Sequence, residues 1–212
     1  MTADVAPLAP KRRTAKAKAP AAEAPVRTPL TPETWIDAAT DVLVSHGIDS
    51  VRVDVLAKRL QVTRGSFYWH FKDRNDLLAQ VLQTWRRKST EELTRRLETA
   101  HTDPAEQVRD VLSLPFRGRS AVRAAQIELA LRDWARRDPV ARQVMDESDA
   151  SRLAYISQIF SSLGFGVMEA RSRAFLLYSH VVAASQMTGA EAALPREERN
   201  RFVEQLIQTP LR

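Results

Sequence analysis

The chain of 212 residues contains no cysteine, which excludes a disulfide framework and every zinc site built on thiolates. Its four histidines, His46, His70, His101 and His180, stand too far apart to form a local ligand pair, so no metal centre is expected. No hydrophobic run approaches the roughly 18–20 apolar residues that a bilayer requires, and no apolar stretch follows the N-terminal charges. Membrane insertion and secretion are therefore not expected, and the expected location is the cytoplasm. Glycine is scarce, with six residues, and there is no G-x-S-x-G elbow, phosphate-binding glycine loop or H-E-x-x-H pair. The sequence reads as a non-enzyme without a cofactor.

Positive charge is in modest excess: 32 Lys and Arg stand against 26 Asp and Glu, a net charge of +6. Residues 1–30 hold six bases (Lys11, Arg12, Arg13, Lys16, Lys18, Arg27) and two acids (Asp4, Glu23), so the tail accounts for four of those charges. Rich in Ala and Pro and poor in large aliphatics, this segment cannot offset its ordering entropy and is expected to be a disordered basic tail. It is either a solvated leader or an arm that follows DNA phosphates. Residues 31–75 are neutral, with six bases and six acids, so bulk charge does not establish nucleic-acid binding; particular residues must.

From Thr31 onward the pattern is helical. Thr31 is placed to cap, Pro32 suits the first helical position, Trp35, Ile36, Ala39, Val42 and Leu43 fall on one face, and Gly47 ends the element. A second helix is expected over Arg52–Leu60 and a third from Thr63, as its cap, to about Phe71. A long fourth helix is expected from Asp73 to about Ala100, with the stripe Leu77, Leu78, Val81, Leu82 and Trp85. Pro and Gly then divide the chain into helices near 104–114, 119–137, 139–163, 167–188 and 195–208. No stretch alternates long enough to form a strand, so the fold class is all-α, with about nine helices.

Function is concentrated in VDVLAKRLQVTRGSFYWHFKDRNDLL, residues 53–78. Two short helices around a tight turn, with small Ala57 at their approach and Val62 in the angle, describe a helix-turn-helix whose second helix enters a major groove. Thr63, Arg64, Gly65 and Ser66 put hydroxyls, a guanidinium and bare backbone at the reading end, where Arg64 can bind guanine in bidentate fashion. Tyr68, Trp69, His70, Lys72 and Arg74 supply the hydroxyl, ring N–H and cationic groups that phosphates require, and the start of the helix at Asp73 offers N–H groups to anions. Asp54, near the DNA-facing end of its helix, either reads a cytosine amino group or caps the helix.

The stretch TRGSFYWHFKDRNDLL resembles the DNA-binding signature of TetR-family transcriptional regulators. The resemblance covers residues 31 to about 80; beyond them only the layout of helices matches. It implies a helix-turn-helix DNA-binding domain at 31–78, joined by a long helix to a ligand-binding and dimerisation domain at 79–212. It also implies base contacts from Arg64, Gly65 and Ser66, and phosphate contacts from Thr63, Tyr68, His70 and Arg74, with Arg52 and Lys58 facing the DNA backbone. Gln61 departs from the family, standing where a turn glycine is usual. The implied partners are double-stranded DNA, a second copy of the chain, because one chain has one reading head, and a small molecule; no membrane is involved.

The expected dimer seam is the helix over 167–188 with its apolar run AFLLYSHVVAA, paired with the last helix: Ala174, Leu177, Val181, Ala184, Phe202 and Leu206. Trp85, Gln126, Leu129, Trp134, Met145, Tyr155 and Tyr178 combine aromatic surface with scattered polar groups, as a ligand cavity does. The expected function is a repressor released from a palindromic operator by a small molecule. An enzyme is the first rival. The second is an architectural protein that binds DNA through its tail alone, which competition with nonspecific DNA distinguishes.

Overall fold

A computed structural model of the chain describes residues 30–187 and 195–210. The tail, apart from Leu30, and the break at Gly189 lie outside the described residues. Among the described residues there is no strand, and no helix is long and apolar enough to cross a membrane.

Helix α1 (Pro32–His46) begins where the Thr31 hydroxyl accepts the Thr34 N–H at 3.4 Å, and ends at Gly47, whose φ of 77° favours a residue without Cβ. A 3-10 turn at Ile48–Ser50 leads to α2 (Val53–Arg59) and then α3 (Arg64–Phe67). Between these two the chain closes a Schellman turn: Val62 N–H donates to the Ala57 carbonyl at 2.9 Å and Gln61 N–H to that of Lys58 at 3.2 Å. Gln61 occupies the position where glycine is usual and takes φ of 56°, so the turn keeps its geometry without the glycine. The left-handed conformation costs a residue with Cβ about 1–2 kcal/mol, and glycine's extra freedom in the unfolded chain returns about half of that. Gln61→Gly is therefore expected to raise stability by about 0.5–1 kcal/mol. Urea denaturation checks this, and an unchanged or lower midpoint would reject it.

Helix α3 is shorter than expected. The chain from Tyr68 to Phe71 continues in tight turns, with the Phe67 carbonyl accepting from both His70 and Phe71 N–H at 3.0 and 3.1 Å. Lys72 N–H then goes to the Asp76 carboxylate at 2.9 Å instead of extending a helix. Asp76 belongs to the cap of α4 (Arg74–Arg86), where Asp73 also accepts the Asp76 N–H at 2.9 Å. Two carboxylates thus stand at the start of α4, where an anion was expected, and one of them already takes the Asp76 N–H.

The long fourth helix is not one uniform rod. A π-helical turn at Arg87–Glu91 separates α4 from α5 (Glu92–Ala100). The body continues with α6 (Pro104–Ser113), α7 (Arg119–Ala135), α8 (Pro139–Ser162), α9 (Val167–Gln186) and α10 (Arg196–Gln208).

Two apolar clusters hold this together. The first joins Trp35, Leu43, Leu56, Phe67, Phe71 and Leu77 of the N-terminal helices to Leu131, Trp134, Ala141 and Met145 of α7 and α8. The helix-turn-helix is thus packed directly onto the body, and the core does not divide at residue 78. The second cluster gathers Leu97, Val108, Ile156, Phe160, Ala174, Leu177 and Ile207.

Candidate nucleic-acid interface and ligand chamber

At the reading head the core residues and the candidate contacts separate cleanly. Phe67 and Phe71 are buried, stacked on each other with centroids 5.2 Å apart, and Trp35 meets Phe67 edge-on at 5.4 Å. This anchor turns Thr63, Arg64, Gly65, Tyr68 and Trp69 outward; Trp69 is 88% exposed. Thr63 stands at the cap position of α3 but its hydroxyl makes no capping bond, which leaves that oxygen free to meet a phosphate. Among the described residues no hydrogen bond or ion pair holds the side chains of Arg64 or Lys58, and both are exposed, as is Lys72. Ser66 and His70 are half-buried at the edge of the same surface.

Two of the expected contacts have other partners. Arg52 pairs with Asp54 at 3.5 Å, and no side chain caps the start of α2, so Asp54 acts as a counter-ion instead of a cap. Arg74 points inward: its Nε donates to the Val51 carbonyl at 2.5 Å and its Nη2 to that of Ile48 at 2.7 Å. A phosphate contact was the expected role for Arg74, but the guanidinium instead clamps the α1–α2 connection, adding a second donor to the Ile48 carbonyl, which already accepts the Val51 N–H at 3.1 Å, and a partner to that of Val51.

Helices α5 to α9, with the end of α4, enclose a chamber of about 670 Å³. Its wall is mainly apolar, including Leu93, Leu97, Val111, Ile127, Ile156 and Val181. Of the seven residues expected at a ligand cavity, Trp85, Tyr155 and Tyr178 line it. Trp134 and Met145 are buried in the first cluster, while Gln126 and Leu129 are exposed on α7. The misplacement follows from α7 presenting apolar residues on two sides, so its period alone does not say which side faces the cavity. Trp85 Nε1 and the Tyr155 hydroxyl are buried there without a hydrogen-bond partner. Burial, with Glu98 and Asp110 nearby, pushes the Tyr155 phenol up to about 12.

One end of the chamber is closed by an ionic network that the sequence did not reveal. Arg132 donates to Glu128 at 2.7 Å and to Asp149 at 2.8 Å, while Arg152 donates to Glu128 at 3.0 Å, to Tyr178 Oη at 3.0 Å and to the Ser89 carbonyl in the π-turn at 3.1 Å. Tyr178 donates in turn to Asp149 at 2.6 Å. Burial alone raises the Asp149 carboxyl, but the bonds from Arg132 and Tyr178 outweigh it and hold the group below the ordinary carboxylate range. Two cations and two anions cancel, and the Arg152 guanidinium also lies 5.3 Å from the centre of the Trp85 ring. The one legible hint was the i,i+4 pair Glu128–Arg132.

The expected dimer residues divide as well. Phe202 and Leu206 of α10 are exposed, but Ala174 and Leu177 are fully buried in the chain's own second cluster, and Val181 lines the chamber. Ala184 is half-buried. The free apolar stripe of α9 is the opposite one, Met168, Phe175 and Leu176. The reason is Arg173: buried, it donates to the Ile207 carbonyl at 2.6 Å and to that of Thr209 at 2.7 Å, tying down the C-terminus of α10 and fixing which side of α9 turns inward.

This arrangement defines a helix-turn-helix protein with a helical, cavity-bearing body. Residues 36–81 match the family model described as bacterial regulatory proteins, tetR family. That domain, about a fifth of the chain, is similar to the DNA-binding domain of the TetR family. The transcriptional regulator SrpR of Pseudomonas putida is 43% identical over 47 residues, 22% of each chain; the chain thus spans about a fifth of the length of this curated relative. Over the whole fold, a transcriptional regulator from Rhodococcus sp. Rha1 superposes with a TM-score of 0.65 at 24% identity, covering 84% of this chain and 94% of that one. The regulator FadR from Bacillus subtilis, solved with stearoyl-CoA, superposes with a TM-score of 0.61 at 20% identity, covering 86% of this chain and all of the other.

Proposed function

We propose that the protein is a transcriptional repressor that binds a palindromic operator as a homodimer and releases it when a small molecule occupies the chamber. Residues 31–78 read DNA, and residues 79–212 bind the ligand and the second copy. The observation that carries this reading is the exposed head Thr63, Arg64 and Gly65, held rigidly by the buried Trp35–Phe67–Phe71 anchor. Lys58 and Lys72 flank it as phosphate contacts. Two-fold binding is supported by the apolar stripes that neighbouring α9 and α10 leave in solvent, Met168, Phe175 and Leu176 on one and Phe202 and Leu206 on the other. A ligand role for the chamber is supported by its volume and apolar wall, and by the small molecule held by the Bacillus neighbour of this fold.

Selection of bound sequences from random duplex DNA tests the reading: an inverted repeat is expected, and the absence of any consensus would overturn it. On the selected site Arg64→Ala is expected to cost about 1–3 kcal/mol, with little change on random DNA. Equal loss on both would make Arg64 a phosphate contact.

A further inference from the structure

We propose that the chamber accepts an amphipathic anion, and that its negative end competes with Asp41 of the DNA-binding domain for one guanidinium, that of Arg123. This rests on the chamber being the ligand site of the regulator. Its wall is mainly apolar, and of its charged lining residues Glu128 and Arg152 pair with each other, which leaves four exposed or half-exposed cations, Lys88, Arg96, Arg117 and Arg123, against one acid, Glu92. An apolar tail with a negative head matches that distribution. The unpartnered Trp85 N–H and Tyr155 hydroxyl add donors within reach of a carbonyl or carboxylate.

Arg123 differs from the other rim cations in its partner. Arg96 lies 4.0 Å from Glu92 and Arg117 2.8 Å from Asp110, both local to the body. Arg123 reaches out of the chamber wall to Oδ1 of Asp41 on α1, whose Oδ2 accepts from Arg59, the last residue of α2, at 3.1 Å. A single carboxylate therefore ties the chamber wall to both of the first two helices of the DNA-binding domain. A second anion on the Arg123 guanidinium repels Asp41 and loosens that tie, while in the empty protein Asp41 holds Arg123 away from the ligand. Because the pair is about half exposed, it can transmit only a modest effect, about two- to five-fold.

The test uses the full chain and three probes of one tail length: dodecanoate, dodecanol and dodecyltrimethylammonium, titrated by calorimetry. Dodecanoate is expected to bind tightest. Arg123→Gln should weaken it by about ten-fold while leaving dodecanol unchanged, Arg123→Lys should restore part of the loss, and Asp41→Asn should tighten dodecanoate by about two- to five-fold. Dodecanoate should also speed amide hydrogen exchange in α2 of the wild type but not of Asp41→Asn. The proposal is overturned if none of the probes binds, if the alcohol or the cation binds as well as the acid, if Arg123→Gln does not discriminate, or if α2 exchange is indifferent to dodecanoate. If all binding and exchange results hold but affinity for the selected operator does not change, the site stands and the ligand-released repressor reading fails.

Discussion

Replacing Phe175 and Phe202 together by glutamate is expected to convert the protein into a monomer and to lower its affinity for a two-fold operator by about three orders of magnitude, toward nonspecific binding. The physical reason is that a single recognition helix reaches one half-site, and the second half-site contributes only when the two heads are joined. Both phenylalanines are mostly exposed in the single chain, 60% and 64%, so the charges introduced do not enter its core. The fold should therefore survive while a seam between two copies receives unpaired carboxylates. Sedimentation together with gel shift on the selected site checks this. A double variant that remains dimeric and binds the operator normally would place the seam elsewhere.

Arg132→Leu is expected to destabilise the protein by about 3 kcal/mol near neutral pH, the cost of leaving a partly buried carboxylate without its cation. Asp149 would keep only the Tyr178 hydroxyl, and Glu128 only Arg152. The pH dependence identifies the cause. In the wild type, Asp149 is held below its ordinary value, so its contribution is present above the unfolded carboxylate range and lost as pH falls through the lower folded value. In the variant, burial is no longer outweighed and the folded Asp149 value rises above the unfolded one, so protonation favours folding. The stability difference should therefore begin to shrink above the ordinary carboxylate value of about 4, as pH falls through the variant's raised Asp149 value, and keep shrinking down to the wild type's lowered one. Thermal unfolding of both proteins between neutral and acid pH measures it; a difference independent of pH would assign the loss to packing.

Much of the helix-turn-helix was legible because its determinants are local. Caps at Thr31 and Asp73, the stop at Gly47 and the period of Trp35, Ile36, Ala39, Val42 and Leu43 each act within one turn of helix. The exposure of Thr63, Arg64, Gly65, Tyr68 and Trp69 was legible because the run from Thr63 to Leu78 keeps the order of buried aromatics and exposed polar groups seen in the TetR signature. Arg74 was misread, since spacing shows that an arginine is present but not that two backbone carbonyls, 23 and 26 residues earlier, lie within its reach.

In the body, the sequence determined the all-helical class, the order of helices and the presence of an apolar α9, all consequences of periodicity and of breakers along the chain. Only the tertiary structure decided which side of each helix faces what. AFLLYSHVVAA is apolar around its circumference, so its period could not choose between Leu177 and Leu176 as the buried residue; Arg173 and the docking of α10 made that choice. The ion pairs follow the same rule. The mostly buried Arg152 reaches Ser89 across 63 residues and the half-exposed Arg123 reaches Asp41 across 82, and no pattern along the chain shows partners that only the packing of distant segments brings together.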